Sequence, residues 1–304
     1  MGRFHYRHSG IVVSSELELP EWHAFAVDGA EAGEPDAVIR FDEVLEEGSP
    51  PDHTPVVAGD SLRFTSKGVG TWRVTGGTDI AIHPFNDRDS IEIRLFTLGS
   101  AWGTLGYQRG WAMLHGSAVA GPDGAALFCG PQEAGKSTMA AGMVRRGFSL
   151  VGDDLSRVVP GRADRASELY PSSTRHKLWQ EAIDALSLGE RDKVQDYFRA
   201  DKYLLETDRS VLVEHPVPLR RIYTLEFGDG VAIEPLSGAD AAKAVLRETI
   251  YRPRFLEAMG KLPEQAVYAA QIAASAEVYR LTRPRDFEKL DEICERVTDH
   301  WAGS

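Results

Sequence analysis

The stretch Gly130-Pro131-Gln132-Glu133-Ala134-Gly135-Lys136-Ser137-Thr138 constrains this chain more than any other, because it satisfies G-x-x-x-x-G-K-[ST] in full. Such a loop works only between a strand that delivers it and a helix that leaves it. Both neighbours read that way: residues 125–129 are continuously apolar, and residues 137–146 form a helix-compatible run stopped by Gly147. In that setting the loop's backbone N–H groups converge on the β-phosphate, and the helix N-terminus adds partial positive charge. Gly135 leaves room for the backbone to approach the phosphate, Lys136 reaches the β- and γ-phosphates, and the Ser137 hydroxyl suits Mg²⁺. An α/β unit that binds a nucleoside triphosphate, ATP with Mg²⁺, is the expectation.

A phosphate loop needs a carboxylate to hold the metal. Residues 148–152 read as the next strand, ending in Asp153-Asp154. One carboxylate suits Mg²⁺ and the other suits accepting a proton from an attacking hydroxyl. Asp153, at the expected strand end, stands where a metal-binding carboxylate would, with Asp154 as the base; the residues alone leave that order open. Upstream, Leu114 to Ala120 and Ala125 to Cys129 flank Gly121-Pro122-Asp123-Gly124, which reads as a hairpin, with His115 on its first strand.

The chain has 304 residues, 42% hydrophobic, enough for about two domains of ordinary size. Its net charge of −12 disfavours nucleic acid as a general partner. Cys129 and Cys294 cannot form a disulfide framework or a four-cysteine zinc site, and Cys129 reads as a core residue. No apolar run approaches the ~20 residues of a membrane span, and the basic start Met1 to His8 lacks the apolar core of a secretory signal. A cytoplasmic protein without a membrane partner is the expectation. Residues 1–97 read as β-rich, with strands at 69–74, 80–82 and 91–95 and a solvated acidic loop around Asp42, Glu43, Glu46 and Glu47. From residue 98 the pattern changes: 98–113 is helical despite four glycines, and helices are expected at 237–248, 264–276 and 286–301 around a strand at 278–281.

Met113 to Val119, the phosphate loop and Val151-Gly152-Asp153-Asp154 together resemble the HPr kinase/phosphorylase family in order and spacing. The resemblance implies an α/β fold with a P-loop kinase core of the HPr kinase/phosphoenolpyruvate carboxykinase type on a mixed sheet, here at 98–304 behind a β-rich N-terminal domain. By position, His115, Lys136, Ser137, Asp153 and Asp154 inherit that family's active-site roles. Residues 169–179, 218–223 and 235–239 are similar to a narrower branch that includes kinases of lasso-peptide precursors, which implies a peptide partner phosphorylated on its C-terminal serine. The chain lacks the Arg-Pro-Gly-Arg-Asn type segment that HPr kinases use in phosphorolysis, so the kinase core carries over and the carbohydrate-regulation role does not.

Phosphoryl transfer spreads charge over the γ-oxygens, and extra cations there lower the barrier. The candidates are Arg175 and Lys177, on one side of an extended segment, then Lys202, then Arg220 or Arg221, of which at most one reaches the site. The leading expectation is an ATP-dependent kinase acting on a peptide serine. A small-molecule hydroxyl kinase, an HPr-type protein kinase and a nucleotide-dependent switch are the alternatives, and homo-oligomer formation is open.

Overall fold

The computed structural model describes residues 3–46, 49–162, 164–196, 199–211 and 215–303. Two compact units share the chain: Met1–Met113 with Ile250–Val267, and Leu114–Thr249 with Tyr268–Ser304. The division expected at 97/98 thus falls inside the first unit, which also takes in a late segment from the region expected to belong to the kinase core.

The first unit carries β1 (Phe4–His8), β2 (Ile11–Ser15), β3 (Ala37–Phe41), β4 (Val56–Ala58), β5 (Ser61–Ser66), β6 (Gly70–Thr75) and β7 (Asp79–Pro84). They form one sheet in the order β1-β2-β3-β7-β6-β5-β4. Gly76 and Gly77, at φ 58° and 67°, make the tight turn between β6 and β7, where two consecutive left-handed residues match the twist of a hairpin. The helices of this unit are α1 (Gly29–Ala32), α2 (Ile91–Phe96) and α3 (Trp102–Gln108). The expected strand at 91–95 is therefore a helix. Ser90 caps it by accepting the Ile93 N–H at 3.4 Å, and Ile93 and Phe96 turn inward. Phe64 and Trp72 stack at 5.2 Å in the core, and the Trp72 indole donates to Thr97. The late segment belongs here because Phe255 packs on Phe64 at 5.0 Å and Leu256 is fully buried. The acidic stretch is not simply solvated. Burial works to raise the Asp42 carboxyl, but hydrogen bonds and charge from Arg40 and Arg73 hold it below the usual carboxylate range. Glu43 is exposed as expected, and Glu47 and the side chain of Glu46 lie outside what is described.

Strand β8 (Ala112–Gly121) leads into the second unit. There follow β9 (Gly124–Cys129), α4 (Lys136–Arg145), β10 (Ser149–Val159), β11 (Ser167–Leu169), β12 (Arg175–Trp179), α5 (Gln180–Ala185), β13 (Lys193–Gln195), β14 (Lys202–Glu206), β15 (Val217–Phe227), β16 (Ala232–Leu236) and α6 (Gly238–Thr249). After α7 (Pro253–Ala258) and α8 (Leu262–Ser275) come β17 (Glu277–Arg283) and α9 (Leu290–Ala302). The main sheet runs β11-β10-β8-β9-β15-β17-β16. Strands β8 and β9 form the expected antiparallel hairpin, while β9, β15 and β17 are parallel, so the sheet is mixed as expected. Strands β12-β14-β13 make a small separate sheet. Met139, Ala140 and Met143 of α4 pack with Ile293, Cys294 and Val297 of α9, which fixes the loop's helix to the end of the chain. Among the described residues no helix is long and apolar enough to cross a membrane.

Candidate active site

Strand β9 ends at Cys129, and the loop from Gly130 carries the chain into α4, whose first residue is Lys136. Cys129 is fully buried, and burial pushes its thiol well above the usual range, consistent with a core role. The loop is strongly bent: φ is 137° at Gly130, 65° at Glu133 and 82° at Gly135. No side chain caps α4, so its first N–H groups face outward as a ready anion site. Lys136 folds back and donates to the carbonyls of Gly130 and Pro131 at 2.9 and 3.1 Å. Gln132 and Glu133 are exposed at the loop's crest, Ala134 is buried, and Thr138 follows in the first turn.

The aspartate pair does not end its strand. Strand β10 continues to Val159, so both carboxylates sit in mid-strand. In a regular strand consecutive side chains point to opposite faces. Here Asp153 takes a hydrogen bond from Ser117, at 2.5 Å, and Asp154 pairs with the His115 Nε2 at 3.2 Å. His115 and Ser117 are two apart on β8 and share a face, so the two aspartates reach the same face. The backbone explains this: Asp154 has φ +102°, a left-handed value rare outside glycine, which breaks the alternation.

The two carboxylates live in different surroundings. Asp153 Oδ1 also accepts from the Ser137 hydroxyl at 2.8 Å, and its Oδ2 accepts the Lys177 backbone N–H at 2.6 Å. It is held on both oxygens beside the hydroxyl of the phosphate loop. Asp154 has 45% of its side chain exposed. Burial acts to raise its carboxyl, but the His115 hydrogen bond and charge, with Lys177 and Lys202 behind, hold it well below the usual range.

The expected cations divide. Arg175 and Lys177 lie on one side of β12, as expected, with His176 turned the other way and 4% exposed. Burial lowers the His176 imidazole to about 4 against the pull of Asp153, so it is neutral at ordinary pH. Arg175 pairs with Glu206 at 2.5 Å and Lys177 with the buried Asp196 at 2.7 Å. Lys202 is drawn down first by burial, then by Lys177 and Arg199, while Asp153 and Asp154 pull it back up. Its charge is within electrostatic reach of both carboxylates, and its ammonium lies 5.4 Å from the Trp179 ring centre. Arg220 does not join the others. Leu219 of β15 pairs with Ala125, while Thr224 pairs with Cys129, so Arg220 stands at the end of the strand away from the phosphate loop, donating to the Asp123 carbonyl. Arg221 is buried there too, paired with Asp123 at 2.7 Å.

Two further residues complete the neighbourhood. Glu248, 9% exposed, ends the apolar stripe Ala241, Ala244, Val245 of α6. Burial raises its carboxyl, opposed by the charges of His115 and Lys136 and by the Gly130 N–H, which donates to it. Its signal in the sequence is a glutamate at the fourth position of a helical apolar stripe. Arg283, at the end of β17, donates through Nη2 to the Ala134 carbonyl. Its signal is an arginine in register with the buried Leu281 on alternate strand positions.

No protein-family model and no curated protein matches this chain. Among solved structures, the Hpr(Ser) kinase/phosphatase from Coxiella burnetii is similar at 10% identity and a TM-score of 0.33, over 63% of this chain and 97% of that one.

Proposed function

We propose that this chain is an ATP-dependent kinase that transfers the γ-phosphoryl group to a hydroxyl, with a serine of a flexible peptide as acceptor. The observation that carries the reading is the division of labour in the aspartate pair: Asp153 bonded to the Ser137 hydroxyl, Asp154 on the same face, paired to His115 and open to solvent. A nucleotide-dependent switch needs the first carboxylate and has no use for the second.

Ser137 and Asp153 fit Mg²⁺ by their chemistry, a hydroxyl and a carboxylate 2.8 Å apart at the start of a phosphate-binding helix. When bound, the ion supplies charge neutralisation for the β- and γ-phosphates. The chain's own residues do the rest. The loop N–H groups and Lys136 hold the phosphates, Lys136 exchanging its two carbonyl partners for phosphate oxygens. The Ser117 hydroxyl and the Lys177 N–H keep Asp153 oriented. Asp154 accepts the acceptor's hydroxyl proton as the oxygen attacks phosphorus in line, and ADP leaves. Its low affinity for protons keeps it ionised before the attack, and His115 orients it through Oδ1. Lys202 adds positive charge beside the pair.

The peptide acceptor rests on the sequence's resemblance to lasso-precursor kinases and on geometry. A serine at a chain end can align with the γ-phosphoryl group within reach of Asp154 without a docking face. The test incubates the protein with ATP and Mg²⁺ and offers a free peptide ending in serine, its Ser→Ala version, and folded HPr. A phosphate gain by mass on the first alone supports the reading. Transfer to HPr alone returns the carbohydrate-regulation role, and transfer only to a free metabolite makes the chain a small-molecule kinase.

A further inference from the structure

Arg283 is 8% exposed, and burial lowers its proton affinity, the expected response of a cation taken out of water. Among the described residues it pairs with no carboxylate. Its hydrogen bonds go to two backbone carbonyls, Ala134 through Nη2 and Pro284 through Nη1 at 3.3 Å, while Nε has no partner. The guanidinium lies over the Phe227 ring at 4.9 Å. A buried arginine normally has a carboxylate, because an uncompensated buried charge is costly. Here the nearest built anion site is the phosphate loop itself, whose Ala134 carbonyl the guanidinium grips.

That grip has a geometric consequence. The peptide unit is planar and trans, so its C=O and N–H point in opposite directions. Holding the Ala134 carbonyl turns the Gly135 N–H the other way. The same guanidinium occupies the space that a Cβ at residue 135 would take, and Gly135 sits at φ +82°. The glycine of the motif is thus required by the arginine behind the loop, as well as by its own left-handed backbone.

We propose that Arg283 is the positioning residue of the phosphate loop: it aims the Gly135 N–H at the nucleotide's phosphates, and its buried positive charge is the one those phosphates neutralise. The proposal rests on the nucleotide-kinase reading and deepens it. It assigns the residue no contact with the reacting atoms, so its loss belongs to binding and not to the chemical step.

The experiment measures equilibrium binding of ADP and of inorganic pyrophosphate, together with initial rates, on the wild-type chain, Arg283→Met and Arg283→Lys, each checked for native circular dichroism. Losing one charge-assisted hydrogen bond and its charge weakens binding by about 10- to 100-fold. Arg283→Met is expected to lose that factor for both probes alike and to raise the KM for ATP correspondingly, with the loss absent from kcat at saturation. Arg283→Lys, which keeps the charge and loses the fork, recovers part of the affinity. A second reading uses Gly135→Ala: its cost in ADP affinity is smaller in an Arg283→Ala background than alone, because the clash is gone. Native-like ADP affinity in folded Arg283→Met overturns the proposal, and so does a fall in kcat at unchanged KM. If Arg283→Met fails to fold, undiminished binding in Arg283→Lys together with an additive Gly135→Ala cycle overturns it as well. A wild-type chain that binds neither probe overturns the nucleotide reading and this proposal together, which distinguishes the two failures.

Discussion

Replacing Asp154 by glycine and, separately, by alanine tests whether the aspartate's backbone is strained for function. Both variants lose the carboxylate and the His115 pair, so those losses cancel in the comparison. What differs is the fit to φ +102°. A left-handed backbone costs a residue with a Cβ roughly 1–2 kcal/mol, which glycine does not incur. Glycine in a strand interior is in turn worse than alanine by roughly 0.5–1 kcal/mol, through its greater freedom in the unfolded chain. The difference leaves glycine ahead by about 0.5–1 kcal/mol, whereas at an ordinary strand position alanine leads by a similar amount. The sign is therefore the observable. Urea unfolding followed by fluorescence should place the glycine variant's midpoint above the alanine variant's, with a melting temperature about 2 °C higher. Turnover should fall by about 10²–10⁴-fold in both, the usual contribution of a general base. An alanine variant as stable as the glycine variant would refute the claim that strain is stored at Asp154.

Lys136→Ala should abolish phosphoryl transfer in folded protein, because it removes the cation that reaches the β- and γ-phosphates directly; rates with ATP and any accepted hydroxyl check this. Asp153→Asn should regain part of its activity as Mg²⁺ is raised, while Asp154→Asn should not, since an amide cannot take the proton; a Mg²⁺ titration of both variants separates them. His176 has a folded value near 4 against an unfolded value near 6.5, so the unfolded chain binds more protons between those limits. The stability it contributes is complete above pH of about 6.5 and is lost as pH falls towards 4, by roughly 3 kcal/mol at most. In His176→Leu the slope of stability against pH across that window should flatten, measured by urea unfolding at each pH.

The strand, bent loop and helix around the G-x-x-x-x-G-K-[ST] motif were legible because the signal is local: glycines where the backbone turns left-handed, between an apolar strand and a helix-compatible run. The hairpin before it was legible for the same reason, through its Pro-Asp-Gly turn. What could not be read was long-range or conformational. Asp153 and Asp154 are adjacent letters, and nothing in them shows that the second adopts a glycine-like φ in mid-strand. Residues 91–95 alternate like a strand, but Ser90 caps them into a helix. Arg220 was misplaced because a strand's sequence does not say which of its ends lies beside the loop; the register with β9 decides that. Glu248 and Arg283 left a visible trace, each a charged residue at a position patterned for burial, and that mismatch is the signal to follow in such chains.

The late segment Ile250–Val267 returns to the first unit after most of the second has been made. On the ribosome, then, the N-terminal sheet cannot acquire Phe255 and Leu256 until synthesis has passed α7, and β17 is still to come. The first unit therefore cannot be completed until most of the second has been synthesised, unlike independent domains that fold one after the other along the chain. A protein cut at the composition boundary near residue 97 would yield an N-terminal piece with Phe64 stripped of its aromatic neighbour Phe255, and a remainder carrying a helix meant for the piece removed. Swapping the N-terminal part between related proteins by a single crossover would fail for the same reason; three crossovers, near residues 113, 250 and 267, are the smallest exchange this connectivity allows.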